Sequence, residues 1–352
     1  MSNKKQKRNQ RKTGVLTTLM LLLLTLILLV TSTYAWFTSN QTVTIGTIDV
    51  NVRASNGLQI SVDAETWQPI ITKQELLDTA YSGNFNQLPS VITAVSTSGR
   101  VSDGTDNIDA GFLNMFRGNI SVDYDQGDYV IEGVQSTEAI AKEGIKDFIA
   151  FDVFFKLDNG ETTDVYLDRT GSNVVPSSGY TDKGLQNAVR VAFVNEGNVS
   201  SADWESARGL RNGTEAIVWE PNCDAHTAAG VQSAKRYFGL STFSATGVQS
   251  FSSQRGCKEE FEYSDDGVSK LLLTDTMTSS HFEALQFNNT YSRQTSSAYS
   301  GGSSNVVIFQ LEPGVTRMRI YMWIEGQDVD CENEASGTNI DFNLQFTITP
   351  NS

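Results

Sequence analysis

The chain has 352 residues, of which 26 are basic, 41 are acidic and 39% are hydrophobic. Its net charge of −15 argues against a nucleic-acid-binding protein, because contacts with phosphates require an excess of lysine and arginine. The hydrophobic content, with 18 Phe, 11 Tyr and 5 Trp, is enough to bury a sizeable core.

The first residues have the pattern of an export leader. Six basic side chains lie within residues 4–12, and an uncharged apolar run follows over residues 14–37. Roughly 20 apolar residues match the hydrocarbon thickness of a bilayer, and flanking basic residues stay in the cytoplasm. We therefore predict an N-terminal apolar helix and an extracellular or cell-surface location for the rest, which has 20 basic against 41 acidic residues.

Two features of the leader favour opposite fates. Its apolar core is longer than the ~7 to 15 residues of an ordinary signal peptide, which favours a retained membrane anchor. Thr33 and Ala35 place small residues at the minus-three and minus-one positions of a signal-peptidase site, which favours cleavage before Trp36. We predict that residues 1–35 are removed, with a retained single span as the alternative.

A strand with a change of phase follows the leader. Val43 and Ile45 alternate with polar residues, but after Gly46 the apolar positions shift by one over the stretch from Ile48 to Val52. Because side chains alternate strictly between strand faces, the shift predicts a bulge or a change of pairing partner at Gly46. Residues 36–45 are thereby predicted to be separable from the strand after them.

Strand patterns dominate the exported part, residues 36–352. They cover residues 148–157, 164–167, 188–194, 306–311, 317–324 and 340–348, whereas helical patterns are limited to 73–81 and 137–143. The last two strands alternate most cleanly, which is typical of half-buried antiparallel strands. Strands separated by turn-rich connections predict an all-β antiparallel β-sandwich with short helices.

Residues 195–305 differ in composition from the strands around them. They are rich in Ser, Gly, Asn and Thr, and residues 295–305 approach low complexity. Because strand patterns resume at residue 306, we predict a loop-rich insertion within the sandwich. A second small domain is the alternative.

The stretch T-Y-A-W-F-T-S-N at residues 33–40, with G-T-I-D-V at 46–50, resembles the start of the TasA/camelysin family of exported Gram-positive proteins. A SipW-type signal peptidase removes the long leader in that family. The resemblance implies a jelly-roll sandwich and extracellular fibres of the biofilm matrix, in which the freed N-terminal strand inserts into the next subunit. The body is also similar to uncharacterised clostridial exported proteins, through W-I-E-G-Q-D-V-D-C at 323–331 and L-Q-N-A-V-R-V-A-F at 185–193.

Zinc is a poor fit to the sequence, although the camelysin branch is described as metallopeptidase-like. The chain has two histidines, His226 and His281, and neither stands in H-E-x-x-H. Cys223 and His226 have a spacing that could bind zinc, but a structural site needs about four ligands and no second pair is near in sequence.

Two acidic stretches are candidate calcium sites, because carboxylate oxygens in turns are the ligands that calcium prefers. One contains Asp103, Asp106 and Asp109, and the other contains Asp328 and Asp330 within the acidic run 325–334. Solvated turns are the alternative. We otherwise predict no cofactor.

Three cysteines allow at most one disulfide within the chain. Cys223 and Cys257 are the candidate pair because both lie in the polar middle segment, and free thiols are the alternative. No nucleophile motif such as G-x-S-x-G occurs. Trp323 faces away from its apolar neighbours and is either part of a sugar-binding platform or packed against protein.

We predict a non-enzymatic surface or matrix protein that assembles with copies of itself by β-strand addition. The inserted side chains would be Trp36, Phe37, Val43 and Ile45, with Gly46 as the pivot. The further partners would be the signal peptidase and components of the cell envelope or matrix. A membrane-anchored binding or adhesion module is the alternative, followed by an extracellular hydrolase built on paired carboxylates.

Overall fold

The computed structural model describes Met20 and residues 42–52, 57–104, 109–123, 128–136, 147–158, 160–168, 171–222, 227, 292–295, 307–326, 330–331 and 337–348. Within these ranges, strands β1 to β15 are Thr42–Val52, Leu58–Ser61, Ile70–Thr72, Val91–Val101, Leu113–Asp123, Asp128–Ser136, Ile149–Leu157, Thr163–Leu167, Asn173–Pro176, Val189–Val199, Ala216–Glu220, Ser292–Thr295, Val307–Leu311, Gly314–Glu325 and Asn339–Thr347. Helices α1 and α2 are Lys73–Asp78 and Trp204–Ala207, and 3₁₀ turns span Leu185–Ala188 and Ser201–Asp203.

These elements confirm the predicted all-β class with short helices. The six predicted later strands correspond to β7, β8, β10, β13, β14 and β15. The predicted helix at 73–81 is α1, which begins at a capping box in which Thr72 and Glu75 exchange hydrogen bonds. The predicted helix at 137–143 lies outside the described residues.

The strands form two layers that face each other across the main core. The first layer contains β1, β3, β8, β9, β13 and β15, and the second contains β2, β7, β10, β11, β12 and β14. Strand β4 joins them, since its start pairs with β1, its middle with β14 and its end with β5. The two layers therefore make a β-sandwich that is continuous through one strand.

Strand β1 lies in the interior of the first layer and contains the predicted bulge. Before the bulge, Thr42 to Thr44 pair with β4; after it, Asp49 to Asn51 pair with β3. The pairing with β15 runs along both halves, and its register shifts between Ile45 and Ile48. Both events that the phase shift predicted, a bulge and a change of partner, are confirmed.

The pairing is mixed where the sequence patterns suggested antiparallel strands. Strands β1 and β15, β4 and β14, and β11 and β12 pair in parallel. Each of these pairs joins segments far apart in the chain, so the connection between the strands is long enough for a parallel crossover. Alternation within a strand reports its buried face and carries no information about the direction of its neighbour.

Aromatic rings join the two layers across the core. Phe155 and Phe193 from the second layer pack on Phe346 of the first, with centroids 5.1 and 5.8 Å apart and nearly perpendicular planes. Phe309 also contacts this group, 5.2 Å from Phe155. Edge-to-face pairs of this kind add about 0.5–1.5 kcal/mol beyond the area they bury.

Strand β14 is buried on both faces, which corrects the expectation of a half-buried strand. Met318, Ile320, Met322 and Ile324 lie in the main core, as the alternation predicted. The opposite face is covered by β4, β5 and the segments around residues 81–87 and 208–213, which contact it through apolar and charged groups. A hydrophobicity pattern cannot show this second cover, because the covered face is rich in polar atoms.

The described beginning of the predicted insertion belongs to the sandwich. Within 195–222, the end of β10 pairs with β14, and β11 pairs with β10. Strand β12, further along the same range, pairs with β11. The remaining residues of the range 195–305 lie outside the described part of the chain, apart from Thr227.

Candidate functional site

The predicted assembly strand is packed into the protein's own sheet where it is described. Val43 is fully buried and Ile45 is 3% exposed, and both belong to the main core. Thr44 N–H donates to Thr338 O at 3.0 Å, and Ile45 N–H donates to Ser90 O at 2.9 Å. Residues 42–45 thus fill a slot between β4 and β15, while Trp36 and Phe37 lie outside the described residues.

The bulge at Gly46 is held from both sides by charged groups. Lys73 Nζ, at the start of α1, donates to Ile45 O at 2.8 Å and to Gly46 O at 3.3 Å. Asp341 Oδ1, on β15, accepts from Thr47 N–H at 2.8 Å. Burial lowers the pKa of the Lys73 ammonium, and the nearby carboxylate of Asp341 opposes that shift. Backbone groups that the bulge withdraws from the ladder therefore have partners.

Position 46 is crowded by polar side chains, which a residue larger than glycine would displace. A Cβ there would lie 2.2 Å from Asp341 Oδ1 and 2.6 Å from Ser177 Oγ. These two atoms are hydrogen-bonded to each other at 2.7 Å. The pivot predicted from the sequence is thus a place where side chains from β15 and from the residue after β9 pack against the backbone of β1.

The predicted cleavage residues Thr33, Ala35 and Trp36 lie outside the described residues. No helix in the described part of the chain is both long and apolar enough to cross a membrane. The apolar run at 14–37 falls almost entirely outside that part.

Three of the candidate calcium residues, Asp103, Asp109 and Asp330, lie in the described part of the chain. Asp103 and Asp109 are exposed, and Asp330 is 2% exposed, with its carboxylate accepting from Thr227 N–H at 2.9 Å and Thr227 Oγ1 at 2.7 Å. Asp106 and Asp328 lie outside the described residues. Among the residues with described positions, no three of His, Cys, Asp and Glu form a group that could hold a metal.

Trp323 is buried and is not part of a surface platform. Its indole Nε1–H donates to Glu325 Oε2 at 3.2 Å, and its ring packs in an apolar cluster beneath β4 and β5. The packing alternative is therefore correct for this residue. Of the cysteines, Cys331 is buried in the main core, and Cys223 and Cys257 lie outside the described residues.

A buried ionic cluster that the sequence analysis missed lies on the outer face of the second layer. Asp152 of β7 is completely buried and is contacted by three guanidinium groups. The nitrogen-to-oxygen distances are 2.5 Å from Arg317, 2.9 Å from Arg319 and 3.4 Å from Arg211. Tyr81 OH donates to the same carboxylate at 2.9 Å.

Strand register explains why the cluster forms there. Arg319 lies directly opposite Asp152 in the β7–β14 pair, and Arg317 lies two residues away on the same face. Both guanidinium groups also donate to backbone carbonyls of the covering segments: Arg317 to Gly83 O and Arg208 O, and Arg319 to Phe85 O. The ionic cluster therefore attaches two loops to the sheet.

The pKa values of two groups in the cluster, Asp152 and Tyr81, are strongly shifted. Burial by itself would raise the pKa of Asp152, but Arg319, Arg317 and Arg211 outweigh it and hold that pKa far below its usual range. Burial and the adjacent Asp152 raise the pKa of Tyr81. Asp152 therefore stays ionised and Tyr81 stays neutral, which suits a structural connection.

Glu196 of β10 extends the cluster and titrates differently. Its Oε1 lies 3.7 Å from Arg211 Nη1, and its Oε2 accepts from Gly213 N–H at 3.1 Å. Burial raises the pKa of Glu196 to about 7, against the opposing effect of Arg211. This carboxyl is the described group whose charge is set to change near neutral pH.

An open groove lies between β10 and β13, where the two layers separate. Its volume is about 620 Å³, with Phe193, Phe309 and Met318 among its apolar lining residues. Glu215 and Glu312 are the charged residues among those that line it. The groove therefore has a mixed, negatively charged surface.

Comparison with protein-family models, with curated proteins and with solved structures gave no match to this chain.

Proposed function

We propose that this protein is a non-enzymatic, exported structural protein of the cell surface or matrix, and that it assembles with copies of itself by exchange of its first strand. The observation that carries the proposal is the slot between β4 and β15. Residues 42–45 fill that slot and are separated from the rest of β1 by the Gly46 bulge.

The leader supports the export part of the proposal. Basic residues at 4–12, the apolar run at 14–37 and the small residues Thr33 and Ala35 form the pattern that sends a chain across a membrane and prepares it for cleavage. Cleavage before Trp36 would free a segment of six residues ahead of β1.

The burial of β1 supports exchange rather than simple addition at an edge. An empty slot would expose the apolar sites that Val43 and Ile45 fill, each worth about 1.5–3 kcal/mol when buried. The slot is therefore filled either by the protein's own strand or by the same strand of a neighbour. The contacts are identical in the two cases, which is the condition under which identical elements exchange at low cost.

The mass of the exported protein tests the leader. We expect the mature chain to begin at Trp36, since Thr33 and Ala35 satisfy the small-residue requirement of signal peptidases. Intact-protein mass spectrometry of the secreted and membrane fractions gives the answer directly. A mature chain that retains residues 1–35 would remove the free end that exchange needs.

A cysteine pair across the slot tests the exchange. Thr44 and Val91 are opposite each other in a non-hydrogen-bonded position, shown by the bond from Ile45 N–H to Ser90 O. Cα atoms in such pairs are about 4.5 Å apart, which permits a disulfide. Thr44→Cys with Val91→Cys, in a chain whose Cys223, Cys257 and Cys331 are changed to alanine, is expected to give covalent oligomers when assembled protein is oxidised.

Monomer oxidised before assembly is the matched control for this pair. It should close the disulfide within one chain and lose the ability to form fibres, whereas Thr44→Cys by itself should leave assembly unchanged. Fibres that contain only internal cross-links would show that the strand stays in its own slot and that exchange is wrong.

A membrane-anchored binding module is the second candidate, and the groove between β10 and β13 favours it. Its apolar lining and its two carboxylates, Glu215 and Glu312, could bind a ligand with both apolar and hydrogen-bonding groups. The same mass measurement separates the two functions, because this one requires the leader to be retained.

A further inference from the structure

Glu196 lies on a β-bulge that turns its side chain into the protein. The register of β10 against β14 shifts between Asn195 and Gly197, so Glu196 is the additional residue. Gly197 has a φ of 119°, which a residue with a side chain rarely adopts. Bulges of this kind redirect a side chain and are found next to functional positions.

Glu196 holds one particular stretch of chain, the 208–213 segment, through its backbone and through its carboxyl group. Its backbone carbonyl accepts from Asn212 N–H at 3.1 Å, and its carboxyl Oε2 accepts from Gly213 N–H at the same distance. The other oxygen, Oε1, accepts no hydrogen bond from the described residues. The 208–213 segment in turn covers the ionic cluster, through Arg208 O and Arg211.

The groups that face Glu196 come from four elements. Arg211 approaches from the 208–213 segment, Arg319 from β14 and Asp152 from β7. The fourth neighbour is the backbone of Gly111, where a Cβ would lie 2.4 Å from Oε2. The backbone of Gly111 therefore lies close to Oε2, and the two arginines are already hydrogen-bonded to Asp152.

An ionised Glu196 is therefore poorly stabilised although positive charge is near. The arginines outnumber Asp152, which favours ionisation, but complete burial and an oxygen without a donor oppose it more strongly. The balance sets the pKa of this carboxyl at about 7, compared with an ordinary value of 4.5.

We propose that Glu196 is a pH-controlled latch that keeps the 208–213 segment closed over the ionic cluster while the carboxyl is protonated and loosens it when the carboxyl ionises. The latch does not depend on strand exchange, since it lies on the opposite layer from β1. Through this latch, the closure of the 208–213 segment over the arginines of the cluster responds to the pH of the surrounding medium.

The direction of the pH effect on the latch follows from proton linkage. When the segment opens, Glu196 meets water and its pKa returns towards 4.5, so opening releases a proton at any pH between 4.5 and about 7. The contribution of Glu196 to the stability of the closed state is fully present below pH 4.5 and is lost as the pH rises through about 7. The two values imply roughly a 70-fold increase in the opening equilibrium from pH 5 to pH 8.

Amide hydrogen exchange of the full chain tests the latch. The reporters are the N–H groups of Asn212 and Gly213, and the reference is Tyr180 N–H, which donates to Ser177 O in a loop of the first layer. After correction for the intrinsic exchange rate, protection of the reporters should fall by tens of fold from pH 5 to pH 8. Protection of the reference should remain constant.

Two variants separate the latch from a general effect of pH. Glu196→Gln should remove the pH dependence of the reporters, while Glu205→Gln, at an exposed carboxyl of α2, should preserve it. If the protection of the reporters depended on pH equally in both variants, the proposal would be overturned. If Glu196→Gln does not fold, carbon-13 NMR titration of the Glu196 carboxyl in the unaltered protein decides: a midpoint near 7 supports the latch, and one below 5 overturns it.

Discussion

Replacement of Asp152 by alanine is expected to lower the free energy of unfolding by about 3–5 kcal/mol, which is the cost of leaving buried charges without their partner. Arg317 and Arg319 have no exposed side-chain surface and would face each other across the vacant position. Chemical denaturation followed by fluorescence would measure the loss. The same variant should also free the 81–87 segment, whose carbonyls Gly83 O and Phe85 O accept hydrogen bonds from the two guanidinium groups.

Three further variants make the result specific. Asp152→Asn keeps the shape and removes the charge, so most of the loss should remain. Tyr81→Phe removes one hydrogen bond to the carboxylate and should cost only about 1 kcal/mol. Asp158→Ala breaks a surface salt bridge with Lys156 and should cost at most about 1 kcal/mol. A loss for Asp152→Ala no larger than that for Asp158→Ala would contradict a stabilising role of the cluster.

Replacement of Gly46 by alanine is expected to cost about 2–4 kcal/mol. The new Cβ would displace the Asp341 carboxylate, which accepts from Thr47 N–H and Ser177 Oγ. Hydrogen bonds to a charged group are worth about 1.5–3 kcal/mol each, and the displacement would weaken both. Denaturant unfolding of the protein and of the variant is the measurement.

Gly160→Ala is the matched control for this change. A Cβ at that position meets no atom within 4 Å, so the substitution should be neutral or slightly stabilising through the unfolded state. If Gly46→Ala were as well tolerated as Gly160→Ala, the Asp341 and Ser177 side chains would not restrict the bulge. Gly46→Ala should also reduce fibre formation if the bulge is the hinge of strand exchange.

Local alternation was sufficient to predict some of the strands that line the main core, but not β2, β3, β9 or β11, which also contribute to it. Residues 340–348 alternate over their whole length, and the one-residue shift after Ile45 predicted the bulge before any partner was known. Both signals depend only on neighbours in sequence. They follow from the two-residue period of a strand, which no tertiary contact alters.

Strand β4 was not predicted, because it changes partners twice within eleven residues. It leaves β1 after Thr93, pairs with β14 at Ala94 and Val95, and continues to β5 with a further shift in register. Buried and exposed residues therefore do not alternate regularly along β4. The pattern of residues 91–101 reflects several environments, and a single period cannot describe them.

The ionic cluster could be predicted only in part. A lone carboxylate within the apolar stretch F-I-A-F-D-V-F-F-K-L at 148–157 is a signal for a buried, paired charge. Its partners on β14 could have been suspected, since Arg317 and Arg319 share a strand face. Arg211 and Glu196 join from a loop and a bulge, and their approach depends on the three-dimensional cover of the sheet.

The neighbouring positions of β1 and β15 determine the order in which the sandwich can be completed. Thr47 and Asp341, which bond across these strands, are 294 residues apart in the chain. Contacts of such long range form slowly, because a very large loop must close before they contribute. Strand β1 precedes β15 in the chain, so β1 acquires this neighbour only after the residues between them have been made. Until β15 is in place, Thr44 N–H lacks its acceptor Thr338 O, and one side of residues 42–45 is an unpaired strand edge. Such an edge is the part of a strand that is open to pairing with another chain.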